Sequence, residues 1–134
     1  MEKPHKKLVV WREGISFVLL VYDLVKKLPK SEEFGLISQV KRAVVSIAAN
    51  IAEGAARQTR RELLQYLYIA RGSLSEVDTY LEIIRRLGYV REEDLKEIEK
   101  KMTLVDKMLA GLIASLRKAR LAPHSSPLTP HGEI

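Results

Sequence analysis

Five polar side chains, Gln39, Arg42, Ser46, Asn50 and Glu53, recur every three or four residues through the middle of this 134-residue chain. On a helix that spacing puts them in one line. Read as a site, the line offers a guanidinium for an anion, amides and a hydroxyl for hydrogen bonding, and a carboxylate. Read as structure, it is a hydrogen-bonded network that sets how helices or subunits dock. An unpaired buried amide costs about 1–3 kcal/mol, so a buried Asn50 needs partners. The structural reading is favoured, because chemistry is usually placed on loops held by a scaffold.

A second constellation is basic. Arg57, Arg60 and Arg61 flank Gln58-Thr59 in one turn, where a helix N-terminus points free N–H groups outward. That is a setting for phosphate contacts, although a solvated loop would carry the same charges. Between Lys41 and Arg71 there are six cations and two anions, so much of the net +6 gathers around one helix–helix connection. Lys41, Arg57, Arg60, Arg61 and Arg71 are therefore the candidates for contacting an anionic partner. Tyr66, Tyr68 and Tyr80 are either stacking platforms for bases or caps on the core with a wet hydroxyl.

Other chemistries lack their residues. The histidines are His5, His124 and His131, all in terminal segments, and there is no cysteine. Disulfides, thiolate catalysis and Cys-type zinc sites are excluded, and no helix carries the Glu-x-x-His pairs of di-iron bundles. No nucleophile–histidine pair or phosphate-cradling glycine loop can be assembled. The expectation is no enzyme, no metal and no cofactor.

These side chains need helices to hold them. A first helix is expected from about Leu8 to Leu28, with Leu8, Trp11, Ile15, Val18, Tyr22 and Val25 facing the core and Pro29 ending it. Ser31 is the expected N-cap of a second helix reaching Gly54, with core residues Ile37, Val40, Val44, Ile47 and Ile51. Thr59-Arg-Arg-Glu62 reads as a capping box, each side chain reaching a backbone N–H. It opens a third helix with the stripe Leu63, Leu67, Ala70, Leu74, Val77, Leu81 and Ile84, which Gly88 stops. The fourth starts at Glu92-Glu-Asp94 and carries Leu95, Ile98, Met102, Val105, Leu109, Leu112, Leu116 and Ala119. The mid-helix Gly72-Ser73 marks a close approach by a neighbouring helix.

The fold class that follows is all-α, an antiparallel up-down-up-down four-helix bundle over residues 1–122, with a disordered proline-containing tail at 123–134. The first helix is apolar around most of its circumference: Phe17, Leu19, Leu20, Val21 and Leu24 lie off the main stripe. Such a helix is buried on more than one side, and a second subunit supplies the other side. The apolar run Leu8–Trp11 is cut by Arg12-Glu13, and Ile15–Val25 holds Asp23 and falls short of the ~20 residues of a membrane span. A soluble, cytoplasmic protein is expected, with no membrane partner.

Trp11, Pro29, Glu32-Glu-Phe-Gly-Leu36, the long run Gln39 to Gly54, Ala70-Arg-Gly-Ser-Leu-Ser-Glu76 and Leu87-Gly-Tyr89 resemble the 23S rRNA intervening-sequence protein family. The likeness covers roughly Leu8 to Leu116. It implies a left-handed four-helix bundle assembled as a ring-like homopentamer, with RNA or DNA binding the usual proposal for its members. The accessory proteins of diversity-generating retroelements, which associate with a reverse transcriptase, share that fold. By position the family motif falls on Gln39, Arg42, Ser46, Asn50, Glu53, Gly54, Gly72, Ser73 and Glu76, none of them an active-site residue. Arg91 departs from the usual Ser, Thr or Asp cap, which puts fraying of the fourth helix in question. Two roles follow: a ring-like homo-oligomer that binds nucleic acid, chiefly RNA, through repeated basic surface, or a scaffold docking a nucleic-acid enzyme such as a reverse transcriptase.

Overall fold

The computed structural model describes residues 3–121, with side chains placed as far as Ala119. Its helices are α1 (Val9–Val25), α2 (Leu36–Ala55), α3 (Arg60–Leu87) and α4 (Glu92–Leu121), with 3-10 turns at Pro4–Lys7 and Lys30–Glu32. No strand occurs among the described residues, and the expected tail, 123–134, lies outside them. Both α1 and α3 pack against α2 and α4, so the four helices enclose one core. Phe17, Ile47, Ile51, Leu63, Leu67, Leu81, Ile84, Leu95 and Leu109 are among its fully buried members. Each such side chain contributes about 1.5–3 kcal/mol through lost contact with water.

The expected stripe of α3 is buried throughout, and that of α4 is buried at every position except Met102 and Ala119, which are half-exposed. On α2, Val40, Val44, Ile47 and Ile51 are buried and Ile37 is half-buried. The expected face of α1 holds in part: Leu8 and Val25 are buried, and Trp11, Val18 and Tyr22 pack half-buried against the core. The most deeply buried face is a different one, with Val10, Gly14, Phe17, Val21 and Leu24, and Ile15 stays partly exposed. Gly14 faces Ala48 and Ile51 of α2, where a Cβ would make ordinary contacts at 3.8–4.0 Å. Phe17 and Val21 lie on the same side of α1, one and two turns on.

The ends also differ in part. Ser31 does not cap α2; it sits in the 3-10 turn that follows Pro29, and the helix begins at Leu36. The Glu32 carboxylate takes over instead, accepting from the Leu36 N–H at 3.4 Å. Thr59 does cap α3, its hydroxyl oxygen accepting from the Glu62 N–H at 3.1 Å. Glu62, however, accepts from the Thr59 hydroxyl (2.9 Å) rather than from a backbone N–H. Gly88 ends α3 in the left-handed region at φ 73°, where a side chain would clash. Arg91 stands just before α4, and its N–H donates to the Asp94 carboxylate at 2.9 Å, so the first turn is tied despite the absent Ser, Thr or Asp.

Candidate functional site

The polar line of α2 lies along its seam with α3. At one level the Tyr80 hydroxyl is 3.1 Å from the Glu76 carboxylate and 3.3 Å from the Gln39 side-chain oxygen. Midway, the Ser46 and Ser73 hydroxyls are 2.9 Å apart, and the Asn50 amide donates to the Ser46 carbonyl (2.8 Å) and hydroxyl (2.9 Å). Further along, Arg57 donates to Glu53 at 2.5 Å and to the Tyr66 hydroxyl at 2.8 Å. Three knots on one seam thus join Gln39, Ser46, Asn50, Glu53, Ser73 and Glu76. Arg42 is exposed beside them, near enough to Tyr80 for its charge to favour the phenolate. Burial first, and then the Glu76 hydrogen bond, nevertheless raise the Tyr80 phenol above its ordinary pKa.

The glycines of the motif divide. Gly54 is where the two helices press together: a Cβ would sit 2.9 Å from the Tyr66 Cβ and 3.0 Å from the Leu63 Cδ1. Gly72 is exposed and a Cβ there would meet nothing within 4 Å, so within one chain it is not the expected point of close approach. The neighbouring Ser73 is the buried polar residue of the core, and its tie to Ser46 satisfies it.

Arg57, Arg60 and Arg61 sit together at the α2–α3 connection, with Arg61 exposed and Arg60 half-buried. Arg57 is already engaged there. Its guanidinium also lies 5.0 Å from the Tyr66 ring, and Tyr66 first, with Glu53 behind it, raises its pKa further. Lys41 and Arg71 are placed elsewhere. The Lys41 ammonium stands 4.9 Å from the Tyr22 ring of α1, and Arg71 pairs with Asp106 of α4 at 3.1 Å. At 1.5 Å per residue, Lys41 is about 24 Å from Arg57 along α2. The five candidate cations are therefore spread over several faces, Lys41 toward α1 and Arg71 toward α4, rather than forming one patch.

Two cationic surfaces escaped the sequence reading. From Lys100 to Arg120 there are six cations and only Asp106 against them, a denser run than that from Lys41 to Arg71. Lys100 and Lys107 border an open cleft of about 660 Å3 on α4 with Glu97, Lys101, Thr103 and Leu104, while Lys101 pairs with Glu13 of α1 at 2.5 Å. Counting charge in a sliding window would have found this run. The other surface surrounds the α1–α2 turn, where Lys26, Lys30 and Lys41 line a smaller cleft and Phe34 is 91% exposed. It has no periodicity to draw attention in the sequence.

Tyr68 is exposed. His5 packs its ring edge-on to Trp11 at 4.9 Å, and His124 and His131 lie outside the described residues. No cluster of three or more His, Cys, Asp or Glu able to hold a metal, and no helix long and apolar enough to cross a membrane, is found among the described residues.

The comparisons with known proteins bear on the same residues. A family model described as 23S rRNA-intervening sequence protein matches residues 6–111. Among solved structures, a protein of unknown function from the S23 ribosomal protein family of Bacteroides thetaiotaomicron is similar at 30% identity and a TM-score of 0.73. The similarity covers 78% of this chain and 98% of that one. No curated protein matches the sequence.

Proposed function

The chain belongs to the 23S rRNA-intervening sequence protein family, and from that premise we propose that it is a non-enzymatic homo-oligomer that binds nucleic acid, chiefly RNA, through a basic surface repeated around the assembly. Each subunit is an antiparallel up-down-up-down bundle. Facing pairs support that course, for chain numbers rise on one helix as they fall on the next: Gln39 with Tyr80, Ser46 with Ser73, Arg57 with Tyr66.

The observation that carries the assembly is the outer face of α1. Leu19 is 65% exposed and Ile15 partly exposed, after Trp11, Val18, Leu20 and Tyr22 have packed against the core and α1 against both α2 and α4. Apolar surface left over from a complete core is covered by another copy. The family resemblance implies a ring of five. Weak phosphate contacts at Arg57, Arg60 and Arg61 then gain from repetition, because each subunit raises the effective concentration of the next contact.

Sedimentation at micromolar concentration tests the assembly, and a single-chain species there rejects it. Binding is tested by titrating a labelled RNA hairpin over a range of salt. Replacing Arg57, Arg60 and Arg61 with Ala removes three phosphate contacts and flattens the log–log salt slope by about 2.7. An unchanged slope rejects these arginines as the contacts. Absence of RNA binding, with capture of a reverse transcriptase or another nucleic-acid enzyme, supports the scaffold reading in its place.

A further inference from the structure

The turn between α1 and α2 holds the most exposed large apolar side chain described in the chain. Phe34 is 91% exposed, far above the next, Leu19 at 65%. The turn that presents it is not slack. Glu32, Glu33 and Gly35 N–H groups donate to the carbonyls of Pro29, Lys30 and Glu32 at 2.9–3.1 Å. The Glu32 carboxylate also accepts from the Tyr89 hydroxyl at 2.7 Å, which pins the turn to the segment after α3. The Phe34 ring is therefore held out on a fixed base, with both faces open to a flat partner.

Beside it lies a cleft of about 310 Å3 with an apolar floor of Val25, Leu28 and Ile37. Its rim carries Lys26, Lys30 and Lys41 against a single carboxylate, Glu33. Lys30 makes no ion pair among the described residues. Lys26 has only a 3.7 Å contact to Asp23, both largely exposed, and Lys41 is held over the Tyr22 ring.

We propose that this turn is a binding site for single-stranded nucleic acid, one base stacking on Phe34 while Lys26, Lys30 and Lys41 take the flanking phosphates. The inference rests on the nucleic-acid reading above and adds to it a second surface with its own preference. The combination of a bare aromatic ring and a cationic rim is what unpaired bases need, whereas a duplex keeps its base faces stacked away. Asp23 stands beside Lys26, and the Glu32 carboxylate is taken up by the Leu36 N–H and the Tyr89 hydroxyl. Lys30 and Lys41, facing Glu33, are therefore the cations that favour a polyanion over a neutral protein groove.

The test uses a labelled 12-nucleotide oligouridylate and a labelled RNA hairpin with a short loop, each followed by fluorescence anisotropy. Phe34→Ala should weaken oligouridylate binding about 5- to 150-fold, the range for losing one stacked base, and leave the hairpin unchanged. Phe34→Trp should restore it and Phe34→Leu should not. Replacing Lys30 and Lys41 with Gln should lessen the single-strand salt slope by about 0.7 for each. Full binding by Phe34→Leu or Phe34→Ala overturns stacking. A smaller sedimenting species for Phe34→Ala overturns the site in favour of a contact with a second copy. Binding of the hairpin without the oligouridylate sinks this inference and leaves the proposed function standing; binding of neither sinks both. Because Phe34 is outside the core, the melting temperature of each variant should match the parent's.

Discussion

Alanine at two glycines of the same helix pair should move stability in opposite directions. At Gly54 the new Cβ would lie 2.9 Å from the Tyr66 Cβ and 3.0 Å from the Leu63 Cδ1. The Tyr66 Cβ is fixed to the α3 backbone and cannot swing away, and Leu63 is only 1% exposed, so the helices must part or Leu63 must leave its rotamer. Overpacking of this kind costs about 1–3 kcal/mol, against which alanine recovers up to about 1 kcal/mol of helix propensity. The net expectation is a loss of up to about 2 kcal/mol. At Gly72 nothing stands within 4 Å, so only the propensity acts and the variant gains about 1 kcal/mol. Urea unfolding followed by circular dichroism separates the two by about 0.5–1.5 M in midpoint for an m-value of about 2 kcal/mol/M. The protein concentration must be held constant, since association adds to apparent stability. A Gly54→Ala variant as stable as Gly72→Ala would refute the close approach of α2 and α3. A destabilised Gly72→Ala variant would refute the solvent-facing placement of Gly72 and, with a smaller sedimenting species, would mark it as a contact between copies.

Two further expectations concern charge. Arg85 donates to Glu82, Glu92 and Glu99 at 2.7–3.2 Å, so Arg85→Ala removes the cation shared by three carboxylates where α3 meets α4 and leaves Arg86 as the partner of Glu82 alone. A loss of about 1 kcal/mol at low ionic strength, shrinking in 1 M salt, is expected in urea unfolding, and a loss indifferent to salt would refute the electrostatic account. Asp94 accepts from the Arg91 N–H and from Lys27, in that order of effect, and these hold its pKa down from 3.8 to about 2. A depressed carboxylate lends its full stability above the unfolded value and loses it as pH falls toward the folded one. Unfolding measured from pH 5 to pH 2 should therefore show a steeper decline in the parent than in Asp94→Asn, which keeps the other depressed carboxylates such as Glu82. Parallel curves would refute it.

The parts of this fold that could be read from sequence are those in which one side of a helix alone is apolar. The stripe of α3, Leu63 to Ile84, is bounded by charged residues, so periodicity had one answer, and it is the buried face. Periodicity fails on α1 because apolar residues surround it. Two apolar faces compete there: Trp11, Ile15 and Val18 stay partly exposed, while Val10, Phe17, Val21 and Leu24 are the fully packed ones. The start of α2 was hidden for another reason. Ser31 has the right chemistry for a cap, but Glu32, one residue later, reaches both the first N–H of the helix and Tyr89, 57 residues away. Sequence showed that Gln39, Ser46 and Asn50 form a line, yet not that Ser73 and Tyr80 would be opposite them, because a partner helix is a tertiary fact. The cations divide likewise: spacing drew attention to Arg57, Arg60 and Arg61, and missed Lys26 and Lys30, which only the fold brings beside Lys41.

The double embrace of α1 by α2 and α4 has a consequence for how the polypeptide is born. Synthesis delivers α1 early, but the last core residues of α4, Leu112, Ile113 and Leu116, emerge some ninety residues later. At about 5–20 residues per second, that leaves a greasy segment waiting for about 5–18 seconds beyond the exit tunnel. Its nascent form is thus a natural client for a holdase, and variants that delay translation between α1 and α4 should aggregate even when the finished protein is as stable as ever.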